Sequence, residues 1–429
     1  MSVLERFARY NRSTRSRRVK PRPVQIVDDG QDRSIFSKQR DIMAQVLSPT
    51  IKHFSFDGAS ALSFSRRLPS LRERSAESLI SSDSYELDWD QAALLQLSDS
   101  VRSSLRRDGG VGPDANRLSN FLEAVLKDEE RKLPTLDFET IEYARLDKLL
   151  AELLDFGHNE DLPLSVRVDM SHAKNLARIW RRRFREKFFM IDQHRCAVFV
   201  EGGRLKDVSF NSSLTYDLGK WQTKVSNPIS ELEGNLEFEA GHWWLNIACA
   251  ERDGIVADSL EIPTKGRYGI TALPLLTGQE ELIRHNTVKY VREGRSSDMH
   301  IALVSQVGRR IRVLRGYRLK SIYAPQAGVR YDGLFTLKQY GYKLDNMTNT
   351  YRLELTLERV TEQKSFEELR KVPKPSQLDD WNLYEKLEGD KIRLLQGETS
   401  YLEWKLKRQE EKIDREDWRR SRLFRASFS

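Results

Sequence analysis

Eight residues near position 355 alternate strictly between apolar side chains and charged or polar ones. In "YRLELTLERV", Tyr351, Leu353, Leu355 and Leu357 fall on one side of an extended chain. A period of two indicates a half-buried antiparallel strand. The stretch "GRRIRVLRG" (308–316) alternates basic and apolar residues in the same way. We therefore predict neighbouring strands in this part of the chain.

Two further stretches also predict strands. "RCAVFVEGGRLKDVSF" (195–210) has the composition of a hairpin that turns at Gly202 and Gly203, and "EFEAGHWWLNIACA" (237–250) is a single strand candidate. Several short strands separated by glycine-rich turns predict a small barrel or a twisted sandwich. Closure of such a sheet would remove exposed strand edges.

The preceding hundred residues have the periodicity of helices. "LDFETIEYARLDKLLAELLDFG" (136–157) has one broad apolar face, and Gly157 follows it as a stop signal. That face consists of Ile141, Leu146, Leu149, Leu150, Leu153 and Leu154. In "DMSHAKNLARIWRRRFREKFF" (169–189), four large apolar residues recur at every fourth position, which predicts a packed stripe. These are Leu176, Trp180, Phe184 and Phe188.

Basic residues cover the rest of this second helix. They are Arg178, Arg181, Arg182, Arg183, Arg185 and Lys187. A helical stripe usually packs against a core, so one interpretation is a core helix with a solvated basic face. The alternative is a contact with a phosphate backbone.

These patterns divide the chain into four parts. Residues 1–85 are rich in Ser and Arg and lack periodicity, so we predict a disordered basic arm. A helical region (86–190) and a strand-rich domain (191–365) follow. Residues 366–429 carry charges of both signs along a helix, which indicates a solvated helical tail or a helix that binds a partner.

Composition and charge narrow the class of protein. The 429 residues include 72 Lys and Arg against 64 Asp and Glu, a formal net charge of +8. Residues 1–40 hold 11 of these cations and 4 of the anions, so the arm carries +7. Such an excess favours a polyanionic partner. The two cysteines, Cys196 and Cys249, exclude a disulfide framework or a cysteine-rich zinc module, and no apolar run is long enough to predict a membrane span.

The basic arm also carries a candidate targeting signal. "RSTRSRRVKPRP" (12–23) fits a nuclear localisation signal or a phosphate-binding arm, and a merely solvated tail remains the alternative. The signal would consist of Arg15, Arg17, Arg18, Lys20 and Arg22. We accordingly expect a nuclear location.

The segment "YAPQAGVRYDGLF" (323–335) resembles the signature of the SRA, or YDG, domain family. The resemblance extends over about a third of the chain, roughly 232–362. It implies an α+β fold with a PUA-like twisted β-barrel and flanking helices. It also implies binding to double-stranded DNA, methylated DNA included, and many family members flip 5-methylcytosine out of the duplex. A flipped base needs stacking rings and hydrogen bonds to its Watson–Crick edge.

The same resemblance implies a base pocket. Tyr290 matches the pocket-wall tyrosine of the family, and Glu281 falls at the position of the aspartate that contacts cytosine, next to Glu280. Gly278 falls where a second stacking tyrosine is usual, and Val291 where a threonine is usual. The segment that enters the groove in the family is shortened here to "REGRSSDM" (292–299).

Basic side chains around this pocket are the predicted contacts to the DNA backbone. They are Arg292, Arg295, Arg310, Arg312, Arg315 and Arg330. For the signature itself, Gly333 permits a tight turn, Asp332 can accept hydrogen bonds from turn N–H groups, and Tyr331 can pack beneath the sheet. We predict that this corner supports the pocket and does not itself contact a base.

Catalytic motifs are not found in the sequence. It has no phosphate-binding loop, nucleophile elbow or His-Glu-x-x-His motif. His194 and Cys196 lie two apart, on one face of the predicted strand, but no second pair completes a metal site. We therefore predict a DNA-binding protein that is not an enzyme and needs no cofactor or metal, with chromatin proteins as further candidate partners. The alternatives are a protein-interaction scaffold whose SRA fold no longer binds modified bases and, below that, an RNA-binding PUA-like module.

Overall fold

The computed structural model describes residues 89–156, 163–211, 220–224, 228–345 and 347–426 and shows a mixed α+β architecture with one large sheet. These described residues form one compact unit. The predicted disordered arm, the candidate nuclear localisation signal and Gly157 lie outside the described residues. No helix in the described ranges has the length and apolar character needed to cross a membrane.

Within the described ranges, seven helices precede the sheet. They are α1 (Gln91–Asp108), α2 (Ala115–Glu129), α3 (Phe138–Tyr143), α4 (Leu146–Phe156), α5 (Leu164–Phe184), α6 (Glu186–Phe189) and α7 (Ile191–Glu201). The two predicted apolar faces form much of their shared core, where Leu149, Leu176 and Trp180 are fully buried. The first of these faces is divided between α3 and α4, because Arg145 between them has a φ of 56°.

The strands follow, with four helices among and after them. The strands are β1 (Val208–Asn211), β2 (Lys220–Thr223), β3 (Trp243–Trp244), β4 (Thr264–Gly266), β5 (Gly269–Leu275), β6 (Gln279–Arg284), β7 (Thr287–Gly294), β8 (Arg310–Gly316), β9 (Val329–Asp345) and β10 (Thr350–Arg359). The helices are α8 (Ile247–Arg252), α9 (Phe366–Arg370), α10 (Pro375–Gln396) and α11 (Glu398–Ala426).

The large sheet runs in the order β4-β5-β8-β9-β10-β7-β6, and β3 pairs with β9. Only β5 and β8 are parallel among these pairs. The strands predicted at 308–316 and 351–360 are β8 and β10, and Leu353, Leu355 and Leu357 are buried as the alternation requires.

The expected barrel closure is not found, because the end strands β4 and β6 do not pair within the described part of the chain. The segment after β8 covers the start of the β6 edge instead. Glu280 N donates to the Lys320 carbonyl at 2.9 Å, and Lys320 N donates to the Gly278 carbonyl at 3.0 Å. An edge protected in this way has less need of a closing strand.

The predicted hairpin at 195–210 is wrong in its first half, which is the helix α7. Its buried side chains are Ile191, Arg195 and Phe199, a spacing of four that fits a helix, whereas Val198 and Val200 are exposed. Arg195 donates to Asp147 of α4 at 2.6 Å, so a contact between helices fixes this segment. The run of apolar residues hid the longer period.

Two other segments differ from the prediction. The strand expected at 237–250 is reduced to Trp243–Trp244, because Asn246 caps the helix α8 by accepting from Cys249 N at 2.9 Å. The predicted solvated tail includes α10, whose Trp381 and Tyr384 are buried in a core with the strands. This helix is therefore part of the folded body.

The signature lies within strand β9, and not in the tight turn that the sequence predicted. Val313 pairs with Gly333 and Leu314 with Tyr331, so Asp332 is the extra residue of a β-bulge. Gly333 has a φ of 97°, a conformation that strongly favours glycine. The bulge directs Asp332 into the interior, where its side chain is fully buried.

We predict that Gly333→Ala lowers the free energy of unfolding by about 2 kcal/mol, since an alanine at positive φ is strained. A Cβ at this position would also lie 2.1 Å from Gln363 Oε1. Gly341→Ala in the same strand is the matched control, because its Cβ would meet no atom closer than 3.9 Å. Urea denaturation measures both variants, and equal stabilities would contradict the role given to the bulge.

Candidate nucleic-acid interface

A buried network of charges lies beneath the strands that carry the predicted pocket. Arg315 Nη2 donates to Glu280 at 2.6 Å, and its Nη1 donates to Asp332 at 2.5 Å. Arg330 Nε donates to the other oxygen of Asp332 at 2.5 Å, and Ser321 donates to Glu280 at 2.6 Å. The two arginines and two carboxylates are almost completely buried and balance in charge.

The network shifts the pKa values of Asp332 and Arg315. Burial alone raises the pKa of Asp332, but Arg330 and Arg315 outweigh this and hold the pKa below its usual value. Burial lowers the pKa of Arg315, whereas Glu280 and Asp332 outweigh that effect and raise it. Asp332 and Arg315 are therefore charged at neutral pH.

Three of the predicted DNA-backbone contacts are wrong for this geometry, because their side chains are interior. Arg315 and Arg330 belong to the charge network, and neither is more than 1% exposed. Arg312 is also fully buried and donates to the carbonyls of Ser230 and Leu232 at 2.5 Å. Both faces of β8 are covered, so Arg312 and Arg315 are interior although they lie three residues apart on the strand.

Tyr290 and Glu281 do not converge on one pocket. Tyr290 pairs with Glu280 across β6 and β7, and Glu281 pairs with Lys289, so Tyr290 and Glu281 lie on opposite faces of the sheet. Tyr290 is 2% exposed and packs in the core, and burial raises its pKa. Glu280 belongs to the charge network, so of this group only Glu281 and Val291 remain on the outer face.

A cleft of about 380 Å³ does lie on that outer face. Glu281 and Val291 line it, as their positions in the resemblance imply. Its cationic side chains are Lys289, Arg318, Lys320, Arg352 and Arg415, and its other carboxylates are Glu293, Glu411 and Asp414. The described residues place no aromatic ring in its lining, so a base in this cleft has no ring on which to stack.

Helix α11 covers the cleft through ion pairs. Arg318 pairs with Glu411, and Lys320 Nζ lies 2.7 Å from Asp414. Arg422 pairs with Glu281, which therefore already has a cationic partner. These side chains are each at least a quarter exposed, and exposed ion pairs contribute little stability.

The remaining predicted backbone contacts lie at the surface. Arg295 and Arg310 are exposed, and Arg292 is half-buried with its guanidinium 3.3 Å from Glu261. The sequence interpretation missed Arg318 and Lys320, which flank the cleft. Their alternation with buried Leu319 directly after β8 was the available signal.

His194 and Cys196 were expected on one face of a strand, but both residues lie on helix α7. His194 Nδ1 is 2.7 Å from a carboxylate oxygen of Glu142. Among the described residues, no three potential metal ligands lie close enough together to hold a metal ion.

No protein-family model matches the chain, and no curated protein matches it. Solved structures do show similarity. SUVH6 of Arabidopsis thaliana, in complex with SAM, has a TM-score of 0.29 and 16% identity over 43% of this chain and 35% of that one. The SUVH5 SRA domain with hemimethylated CG DNA has a TM-score of 0.26 and 16% identity, over 31% of this chain and 97% of that one.

The modification-dependent restriction endonuclease TagI is similar at a TM-score of 0.26 and 17% identity, over 34% of this chain and 56% of that one. This chain thus spans about a third of the length of SUVH6 and just over half of TagI. At TM-scores below 0.5 these likenesses do not place the chain in a family, so its function is inferred from its own side chains.

We predict that Asp332→Asn destabilises the protein by about 3–5 kcal/mol, because it leaves two buried guanidinium groups without their shared carboxylate. The control is Glu358→Gln, which removes an exposed ion pair with Lys338 from the neighbouring strand and should cost about 1 kcal/mol or less. Thermal and urea unfolding compare the variants. A loss for Asp332→Asn no larger than that of the control would mean that the network contributes little.

The pKa of Asp332 also predicts how stability depends on pH. Its folded pKa lies below the unfolded value of about 3.9, so the contribution is complete above that value and is lost as pH falls through the folded pKa. The stability difference between wild type and Asp332→Asn should therefore be constant from about pH 5 to 7 and shrink below pH 4. A difference that stays unchanged in acid would exclude this carboxylate as its source.

Proposed function

We propose that the protein binds double-stranded DNA on the outer face of β6 and β7, without the two-ring cage that a flipped base requires. The observation that carries this proposal is the cleft of about 380 Å³, rimmed by Lys289, Arg318, Lys320 and Arg352. Helix α11 covers this cleft through ion pairs with Arg318 and Lys320. DNA phosphates can take the place of the α11 carboxylates in these pairs.

The geometry favours contact with the backbone over discrimination of the base. A flipped base loses its stacking in the duplex and needs rings or apolar side chains to offset that loss. Tyr290 is enclosed in the core, and Gly278 replaces a second ring. Glu281, the carboxylate that could accept a hydrogen bond from a cytosine amine, already has Arg422 as a cationic partner.

The broader role is proposed from the sequence, in particular from its basic run at 12–23. We expect a non-catalytic protein that reaches the nucleus through Arg15, Arg17, Arg18, Lys20 and Arg22 and there meets DNA and chromatin proteins. The hemimethylated DNA in the SUVH5 structure is a ligand of SUVH5. For this chain, discrimination of methylated or hemimethylated cytosine is the finer hypothesis that the binding experiment decides.

Replacing both Arg318 and Lys320 with Gln should weaken duplex binding about tenfold or more and reduce the slope of log K against log salt by about 2. The charge-matched control replaces Lys338 and Lys364, two exposed lysines paired elsewhere, with Gln. Fluorescence anisotropy across a salt series measures both. Equal losses in the two double variants would remove the cleft as the binding site.

The same assay with unmodified, hemimethylated and fully methylated duplexes should give affinities within about threefold of one another, because no ring stacks on a flipped base. Glu281→Gln should leave the ratios of these three affinities unchanged. A preference of tenfold or more for a methylated duplex, lost in Glu281→Gln, would show that the cleft reads the base after all.

Removing the ion pairs between helix α11 and the cleft should increase the affinity for duplex DNA. Glu411→Gln with Asp414→Asn removes the carboxylates that compete with phosphate for Arg318 and Lys320, so duplex affinity should rise about threefold to tenfold. Glu410→Gln with Asp417→Asn changes the net charge equally on the same helix without touching those pairs. The same rise in both double variants would show a general charge effect only.

One observation favours the scaffold as a second candidate function. Leu402, Leu406 and Ile413 of α11 are 50–61% exposed and recur at spacings of four and seven, which suits contact with another helix. A triple Ser variant at these positions should then lose a protein partner while duplex affinity is unchanged. If the variant instead kept its protein partners and lost duplex affinity, DNA binding would remain the main role.

A further inference from the structure

A second, larger cavity lies between α10, α11 and the segment that joins β8 to β9. Its volume is about 800 Å³, well above the space that one phosphate occupies. Six cationic side chains and three carboxylates line it. The cations are Arg106, Arg370, Arg408, Lys412, Arg415 and Arg419.

Two of these arginines have only backbone carbonyls as hydrogen-bond partners in the described part of the chain. Arg415 Nη1 donates to the Tyr317 carbonyl at 2.6 Å, and Arg419 Nη2 donates to the Ala324 carbonyl at 2.8 Å. Arg415 is 9% exposed, and its Nε has no hydrogen-bond partner among the described residues. A buried donor left unpaired is costly, so a ligand acceptor would be stabilising here.

None of the three carboxylates forms an ion pair with Arg415 or Arg419 among the described residues. Glu411 pairs with Arg318 at the cleft, and Glu416 lies 3.9 Å from Arg420. Burial raises the pKa of the third, Glu385, against the attraction of nearby cations. Burial and the neighbouring Arg415 lower the pKa of Arg419 to about 10, and the attraction of Glu416 offsets this shift only in part.

We propose that this cavity binds a small soluble anion that carries two or more phosphate groups, held by Arg415, Arg419 and Lys412. Arginine presents paired N–H donors that match phosphate oxygens, and Lys412 adds an exposed ammonium at the same wall. The proposal is independent of DNA binding, since the cleft beneath α11 is lined by different cations except for Arg415.

The test uses the full-length protein and inorganic triphosphate as the probe. Isothermal titration calorimetry at constant ionic strength should show saturable binding at one site, and the midpoint of thermal unfolding should rise by about 3 °C or more. Sulfate at the same ionic strength should do neither. Heat and stability changes equal to those of sulfate would overturn the proposal.

Variants locate the site. Arg419→Gln and Lys412→Gln should each weaken triphosphate binding about fivefold to tenfold, while Arg420→Gln, an exposed neighbour on α11, should leave it unchanged. Lys412→Gln should fold normally, because Lys412 is exposed and forms no ion pair with a described residue. A loss of binding in this variant therefore does not reflect misfolding. Unchanged affinity in both cavity variants would refute the assignment.

A further comparison separates this site from the DNA cleft. Lys320→Gln should weaken duplex binding and leave triphosphate binding intact, so either proposal can fail while the other holds. Triphosphate binding lost in Lys320→Gln would place the anion in the cleft and overturn this inference. The same conclusion would follow if a duplex, but not triphosphate, depended on Lys412 and Arg419.

Discussion

The structure depends on one buried constraint, the shared carboxylate of Asp332 between Arg315 and Arg330. Charges this deep are costly unless each has its partners in good geometry. The network meets that condition by joining β6, β8, β9 and the segment 317–327 through side chains. Arg330 also donates to the Leu369 and Val372 carbonyls, so the region before α10 is fixed to the same centre.

This constraint explains why the candidate site departs from its predicted form. The inner face of β6 and β7 is committed to the network and to the core around Tyr290. Among the described residues, the open face of these strands is the outer one, which carries charged side chains and no aromatic ring in its cleft. A surface of that kind suits contacts with phosphate, whose strength depends on salt, better than it suits a pocket for a neutral base.

Helix α11 connects the two anion-binding surfaces proposed above. Its carboxylates cover the cleft on one side, and Arg415 and Arg419 face the larger cavity on the other. Arg415 lines both spaces, and its guanidinium lies over the ring of Tyr317 with 5.6 Å from Cζ to the ring centroid. The helix that looked like a solvated tail therefore sets the charge of both surfaces.

The sequence by itself determined the strands β8 and β10 and the apolar faces of α4 and α5. These features have short periods that are visible in local side-chain order. Only the tertiary structure decided that 191–201 is a helix, that Arg312, Arg315 and Arg330 point inward, and that Tyr290 and Glu281 face opposite ways. The physical reason is that a bulge, strand register and ion pairs between distant segments set side-chain direction, and none of these leaves a local pattern in the sequence.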